Sequence, residues 1–260
     1  MFGQKQGAGT RFNFPLETRL KIPGSVMSEM VSPVWFSHLG VYWYYEDFLW
    51  DAFDATEHPL AIYDASSGGT PTTDLVADGT GGQFQIQIAS DSEAELVGFH
   101  MAGNLYIQGN KPFIFATRLK VVHTMAANEI LVWGLASDID TSTLDNLTRN
   151  LWFRVETDTD LMLESDDATT DTDDKDTGID LTADTFYWFV IEHGFDGKYY
   201  FRVAEGDGDN VKTFNLENKF GVTAPSFGAN NMQPVILAQK TSGTTQPEIK
   251  IDVIAFAGVR

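Results

Sequence analysis

Cysteine is absent from all 260 residues, which removes disulfides, thiolate metal ligands and a cysteine nucleophile together. Stability therefore has to come from packing. Proline is sparse, and Pro15, Pro23 and Pro33 lie within the first 45 residues, where they forbid a long helix and interrupt any central strand. No stretch approaches the ~18 apolar residues that a membrane-spanning helix needs. The polar, glycine-rich residues 1–10 read as neither signal peptide nor anchor, so no membrane is expected. Positive charge is scarce: 17 Lys and Arg face 37 Asp and Glu, a net charge of −20. Such a body repels phosphate backbones, and no nucleic-acid partner is expected. His38, His58, His100, His123 and His193 are scattered without a spacing suited to one metal face. No Gly-x-Ser-x-Gly nucleophile turn occurs either.

Apolar material, in contrast, is plentiful. Hydrophobic residues make up 43% and aromatics 13%, enough to fill the space between two sheets, and a β-sandwich of about 250 residues is one domain as a rule. Residues 83–89 alternate strictly, with Phe84, Ile86 and Ile88 on one face and glutamines on the other, the pattern of a half-buried antiparallel strand. Ten further runs are read as strands: 95–100, 105–108, 113–122, 130–137, 151–156, 161–164, 186–193, 199–204, 235–240 and 249–257. Asp78-Gly79, Gly81-Gly82, Asp196-Gly197 and Asp207-Gly208 supply turns. The clearest hairpin pairs 186–193 with 199–204, and residues 144–150 are read as a helical turn in a loop. Many short strands with this punctuation predict an all-β, two-sheet antiparallel sandwich.

Residues 1–45 differ from the rest and are read as an extended N-terminal arm, with 46–260 as the β domain. Residues 1–24 carry a net +3, which leaves −23 on the remainder. A basic arm on an acidic body is suited to an acidic partner surface, or is a mobile tail. Phe12, Phe14, Leu16, Arg19 and Leu20 are its candidate partner contacts, with Trp35, Trp43 and Tyr44 from the aromatic stretch that follows. That stretch, nine aromatics between Trp35 and Phe53, is read first as core or subunit interface and second as a platform for sugar rings.

Catalysis has little to stand on. Glycoside hydrolysis needs two carboxyls facing one cleft. Glu248 and Asp252 share a strand face but have Lys250 between them, and Glu93 and Glu95 are read as a solvent-facing edge. No catalytic residue is assigned. The aspartates crowded between Asp158 and Asp184 are read as an exposed, self-repelling loop beside a short strand, with structural calcium as the alternative. Lys175 stands where an EF-hand would want an oxygen.

Taken together, residues 83–89, the run Phe113-Ile114-Phe115-Ala116-Thr117-Arg118-Leu119-Lys120-Val121, the run Trp133-Gly134-Leu135-Ala136-Ser137-Asp138, and the pair Phe186-Tyr187-Trp188-Phe189-Val190-Ile191 with Tyr199-Tyr200-Phe201-Arg202-Val203 resemble the concanavalin-like, laminin-G-like jelly rolls of structural proteins in tailed-phage virions. The resemblance covers about residues 48–260. It implies a two-sheet jelly roll in which the small Gly134-Leu135 step lets the sheets approach. It further implies a non-enzymatic capsid decoration or cement protein on the virion surface. Its partners would be the major capsid protein or other virion subunits, its oligomer a homotrimer. A carbohydrate-binding, lectin-like module is the alternative, with glycans as ligand.

Overall fold

In the computed structural model, residues 41–48, 60–76, 82–102, 107–137, 139, 143–206, 209–215, 219–220, 225–228 and 231–259 are described. Their strands form two antiparallel sheets. Across the first run β14 (Asp209–Asn215), β13 (Tyr199–Glu205), β12 (Tyr187–His193), β7 (Phe113–Val121), β16 (Glu248–Val259), β4 (Phe84–Gln87) and β3 (Thr72–Leu75). β1 (Val41–Glu46) also lies on β16. It takes residues 254–259 while β4 takes residues 248–251, so the two share one edge of the long C-terminal strand end to end. Across the second sheet run β11 (Asp171–Asp180), β10 (Asp160–Asp166), β9 (Asn150–Asp158), β8 (Met125–Ala136), β15 (Asn231–Lys240), β5 (Glu95–His100) and β2 (Ala61–Asp64), with β6 (Ile107–Gln108) on β15.

Alternation decides what fills the space between the sheets. Phe84, Ile86, Phe115, Leu119, Phe189, Ile191 and Phe201 come from the first sheet, and Phe99, Leu131, Trp133, Phe153 and Leu163 from the second; all are buried in one cluster. Aromatic rings bridge the gap edge to face: Trp133 stands 4.7 Å and Phe153 5.1 Å from the Phe189 centroid, and Phe153 stands 5.2 Å from Phe201. Such pairs add about 0.5–1.5 kcal/mol each beyond the area they bury. The expected hairpin forms as read, Tyr187 opposite Glu205 through to His193 opposite Tyr199, with Gly197 at φ +75° in its turn. The expected helical turn is a short 3-10 turn, Leu144–Asn146, and Asn150 already begins β9.

Several expectations are corrected. Residues 41–45, counted with the arm, belong to β1, because pairing with β16 satisfies their backbone groups. The aspartate run is a hairpin of β10 and β11 rather than a loop beside one strand. Thr172 and Thr177 of β11 turn inward while its aspartates stay on the exposed side, and the low strand propensity of aspartate hides that alternation in the sequence. Gly134 does not space the two sheets. A Cβ there would meet the Leu151 carbonyl at 2.5 Å and Trp152 Cα at 2.6 Å, so the close approach is to β9 in the same sheet. Glu95 is no solvent edge: its side chain is fully buried, with one carboxylate oxygen accepting the Ala89 N–H at 2.8 Å and the Lys240 ammonium 3.8 Å away.

Candidate binding cleft on the second sheet

In β9, Leu151, Phe153 and Val155 point into the core, as do Leu161 and Leu163 in β10. The alternate residues Asn150, Trp152, Arg154, Glu156, Glu164 and Asp166 therefore face outward. Trp152 joins Val132, Val235 and Leu237 in a second apolar cluster on this outer face, closed by Leu144 and Leu147 from the 3-10 turn. The Leu144 N–H donates to Gln239 Oε1 at 2.7 Å and so fixes that turn over the sheet. Asp145 is thereby held above β9. The result is a cleft of about 270 Å³ between the turn and the β10–β11 hairpin, lined by Asp145, Asn150, Arg154, Glu164 and Asp166 and by Asp171, Asp173 and Asp174 of β11.

Arg154 is the hub of this cleft. Its side chain is 8% exposed and reaches Asp145 at 2.8 Å, Glu164 at 2.9 Å, Glu156 at 2.6 Å and Asp174 at 3.6 Å. Burial alone would lower the guanidinium pKa, but the Glu156, Glu164 and Asp145 carboxylates outweigh it and hold it raised. Burial pushes Glu164 above the ordinary glutamate range against the opposing pull of Arg154. Asp173 is raised by burial and by sharing a hydrogen bond with Asp171, and Asp174 by burial and the neighbouring acids against Arg154. Asn150 Nδ2 donates to the Leu147 carbonyl at 3.2 Å and to Glu164 Oε1 at 3.0 Å. Asn150 Oδ1 is buried without a hydrogen-bond partner. The cleft thus offers an excess of acceptors around one cation, which suits a ligand rich in hydroxyl or ammonium donors.

The aspartates of β11 stand along the exposed side of that strand, and among the described residues no three His, Asp or Glu converge on a point that could hold a metal ion. The carboxyls considered for hydrolysis are committed elsewhere: Glu248 accepts from Gln87 at 3.1 Å and pairs with Lys250 at 3.2 Å, and Asp252 pairs with Arg118 at 2.8 Å.

Of the predicted contact residues, Phe12, Phe14, Leu16, Arg19, Leu20 and Trp35 lie outside the described residues. Trp43 is placed in β1 opposite Ala257. Tyr44 is half-buried, its ring stacked 5.3 Å from Phe256 and its hydroxyl donating to Glu46 at 3.3 Å, so it packs against the core. Tyr44 does not line the cleft. The sequence reading missed Arg154, Asn150 and Glu164. The available signal was that Arg154 is the single base between Asn150 and Asp174, amid acids.

No protein-family model matches the chain, and no curated protein matches its sequence. Solved structures do match its shape. A protein of unknown function from Shewanella oneidensis MR-1 superposes with a TM-score of 0.56 at 14% identity, covering 84% of this chain and 87% of that one. Peanut lectin gives 0.53 at 10% identity, covering 84% and 97%, and the Lotus tetragonolobus seed lectin 0.53 at 11%, covering 84% and 99%. At such identities the likeness is one of fold, and the fold is the two-sheet antiparallel jelly roll of the concanavalin-like, legume-lectin kind.

Proposed function

We propose that the chain acts by binding rather than by catalysis, as a decoration or cement protein of a tailed-phage head that fastens through its N-terminal arm and displays the sandwich outward. The observation that carries this reading is the way the arm joins the body. Residues 41–46 are laid along β16 through six consecutive register pairs, so a pull on the arm is taken by an antiparallel ladder inside a sheet instead of by a loop. The arm's first 24 residues are basic and the remainder of the chain strongly acidic, which favours docking of the arm on an acidic shell and keeps the displayed bodies from adhering to one another. A homotrimer on a threefold position of the shell is the assembly proposed. The test compares the intact chain with one lacking residues 1–40, cut so that β1 survives, for binding to emptied heads. Loss of binding with an unchanged fold is expected; equal binding by both chains would dismiss the arm as fastener.

The cleft favours a second role on the same body, recognition of a glycan. The peanut and Lotus proteins of the same fold are lectins, and the acceptor-rich lining with its spare Asn150 oxygen matches a ligand bearing many hydroxyl donors. Calorimetry against a glycan panel should find a binder whose affinity falls when Asn150 becomes Ala. Silence across neutral and amine-bearing glycans alike would remove this role.

A further inference from the structure

The cleft on the second sheet has two unlike ends. Arg154 stands at one, its guanidinium within 3.6 Å of Asp145, Glu156, Glu164 and Asp174. At the other, Asn150 lies opposite Asp166 and Asp166 opposite Asp171, one row across three strands. Neighbouring strands are about 4.8 Å apart, so one small group can be reached from all three residues. Asp173 joins them through a bulge. The register shift that follows Leu163 sets both Asp173 and Asp174, the latter at φ +46°, against Glu164. Both line the cleft, where a regular strand would turn one of two consecutive residues away.

No base answers this second end. Among the described residues Asp166, Asp171 and Asp173 have no Lys, Arg or His within ion-pair distance. Arg149 attracts Asp166 from outside the lining, and Lys175 lies opposite the core-facing Leu163, turned away from the cleft. Asn150 supplies the observation that points to a ligand. It is 1% exposed, its Nδ2 is spent on the Leu147 carbonyl and Glu164, and its Oδ1 has no partner. A buried acceptor left open beside carboxylates without a base calls for a donor that is also positive. The Arg154 end repels a second cation but offers Asp145 and Asp174 to neutral hydroxyls. Among the described lining residues Leu147 alone is apolar, so the alkyl stem of a lysine would gain little burial there. We propose that the cleft takes an amino sugar with a free amine, its ammonium held by Asn150 Oδ1, Asp171 and Asp173 and its hydroxyls turned toward Asp145 and Asp174. The three donors of an ammonium match those three acceptors. This inference rests on the glycan role proposed for the cleft and names its ligand class.

The test is calorimetry on the full chain with trimers of glucosamine, N-acetylglucosamine and glucose of the same β linkage, which differ only in carrying a free amine, an acetylated amine or a hydroxyl. With the amine protonated and at moderate salt, the glucosamine trimer is expected to bind at least about tenfold tighter than the other two. That preference should vanish in Asp171→Asn/Asp173→Asn with its far-ultraviolet dichroism unchanged. It should persist in Asp74→Asn/Glu93→Gln, which removes the same charge from exposed positions outside the cleft. A preference that survives the first pair, or is lost equally in both, would overturn the proposal as general attraction to an acidic body. Equal binding of the three sugars would leave the glycan role standing and overturn the ammonium assignment, whereas no binding of any of them would remove both. Trilysine bound as tightly as the glucosamine trimer would also overturn it, in favour of a cationic peptide.

Discussion

Arg154 stands among more negative charge than one guanidinium can neutralise, and the sheet geometry leaves it no alternative. Replacing it by Met would leave Glu164 buried without its cation, and removing one partner of a buried ion pair costs about 3–5 kcal/mol. Urea unfolding of Arg154→Met at pH 7 should show a loss of that order, and Arg154→Met/Glu164→Gln should recover part of it. If the double variant is as unstable as the single one, Glu164 is not the group left stranded. Glu46, in β1, makes a second residue-scale case. Burial pushes its pKa up to about 7, although the Phe48 N–H donates to it at 2.7 Å. A raised carboxyl means that the folded state binds more protons than the unfolded one between the ordinary value, near 4.5, and 7. Stability therefore falls as pH rises through that window. Glu46→Gln should remove this part of the slope in denaturation midpoints measured from pH 4.5 to 8; an identical slope in the variant would exclude Glu46 as its source.

Elements differ in how openly their sequences announce them. β4, β5, β7, β12 and β13 were legible because each alternates or runs apolar over a length typical of strands, and β12 and β13 carry an Asp-Gly turn between them. β11 was hidden because ten residues rich in aspartate carry the signature of a repelling loop. What makes it a strand is its neighbour: β10 offers a free edge, Thr177 Oγ1 donates to the Leu161 carbonyl at 2.7 Å, and Asp167 closes the turn by accepting the Thr169, Thr170 and Ser226 N–H groups at 2.9, 2.7 and 2.6 Å. Its outward aspartates then blunt an exposed edge against pairing with another chain. Asp167→Ala should destabilise this hairpin by about 2 kcal/mol or more, since a hydrogen bond to a charged group contributes roughly 1.5–3 kcal/mol. Faster amide exchange over residues 160–180 would be the readout, and unchanged exchange there would show that the ladder holds the turn unaided. β8 raises a different matter, since Gly134 is needed for close approach to Leu151 and Trp152 within its own sheet. That partner strand is one only the fold supplies.

For the whole molecule, charge is the property that composition fixes most firmly. A net −20 on 260 residues opposes compaction. Raising ionic strength from about 10 to 150 mM shortens the screening length from roughly 30 to 8 Å, and the melting temperature should rise accordingly. A fall would mean that surface ion pairs outweigh the general repulsion. The sequence by itself determined the all-β class, most of the strands, the overall acidity, the net positive charge of residues 1–24 and the exclusion of cysteine chemistry, because these depend on period-two alternation, turn residues and composition, which are local or additive. Tertiary structure alone decided that β1 is part of the first sheet, that Glu95 is buried beside Lys240, and that Arg154, Asn150 and Glu164 meet acids from the 3-10 turn and β11 in one cleft. These depend on which strand lies beside which and on what covers a sheet's outer face, and residues far apart in the chain carry no local mark of the neighbours that folding gives them.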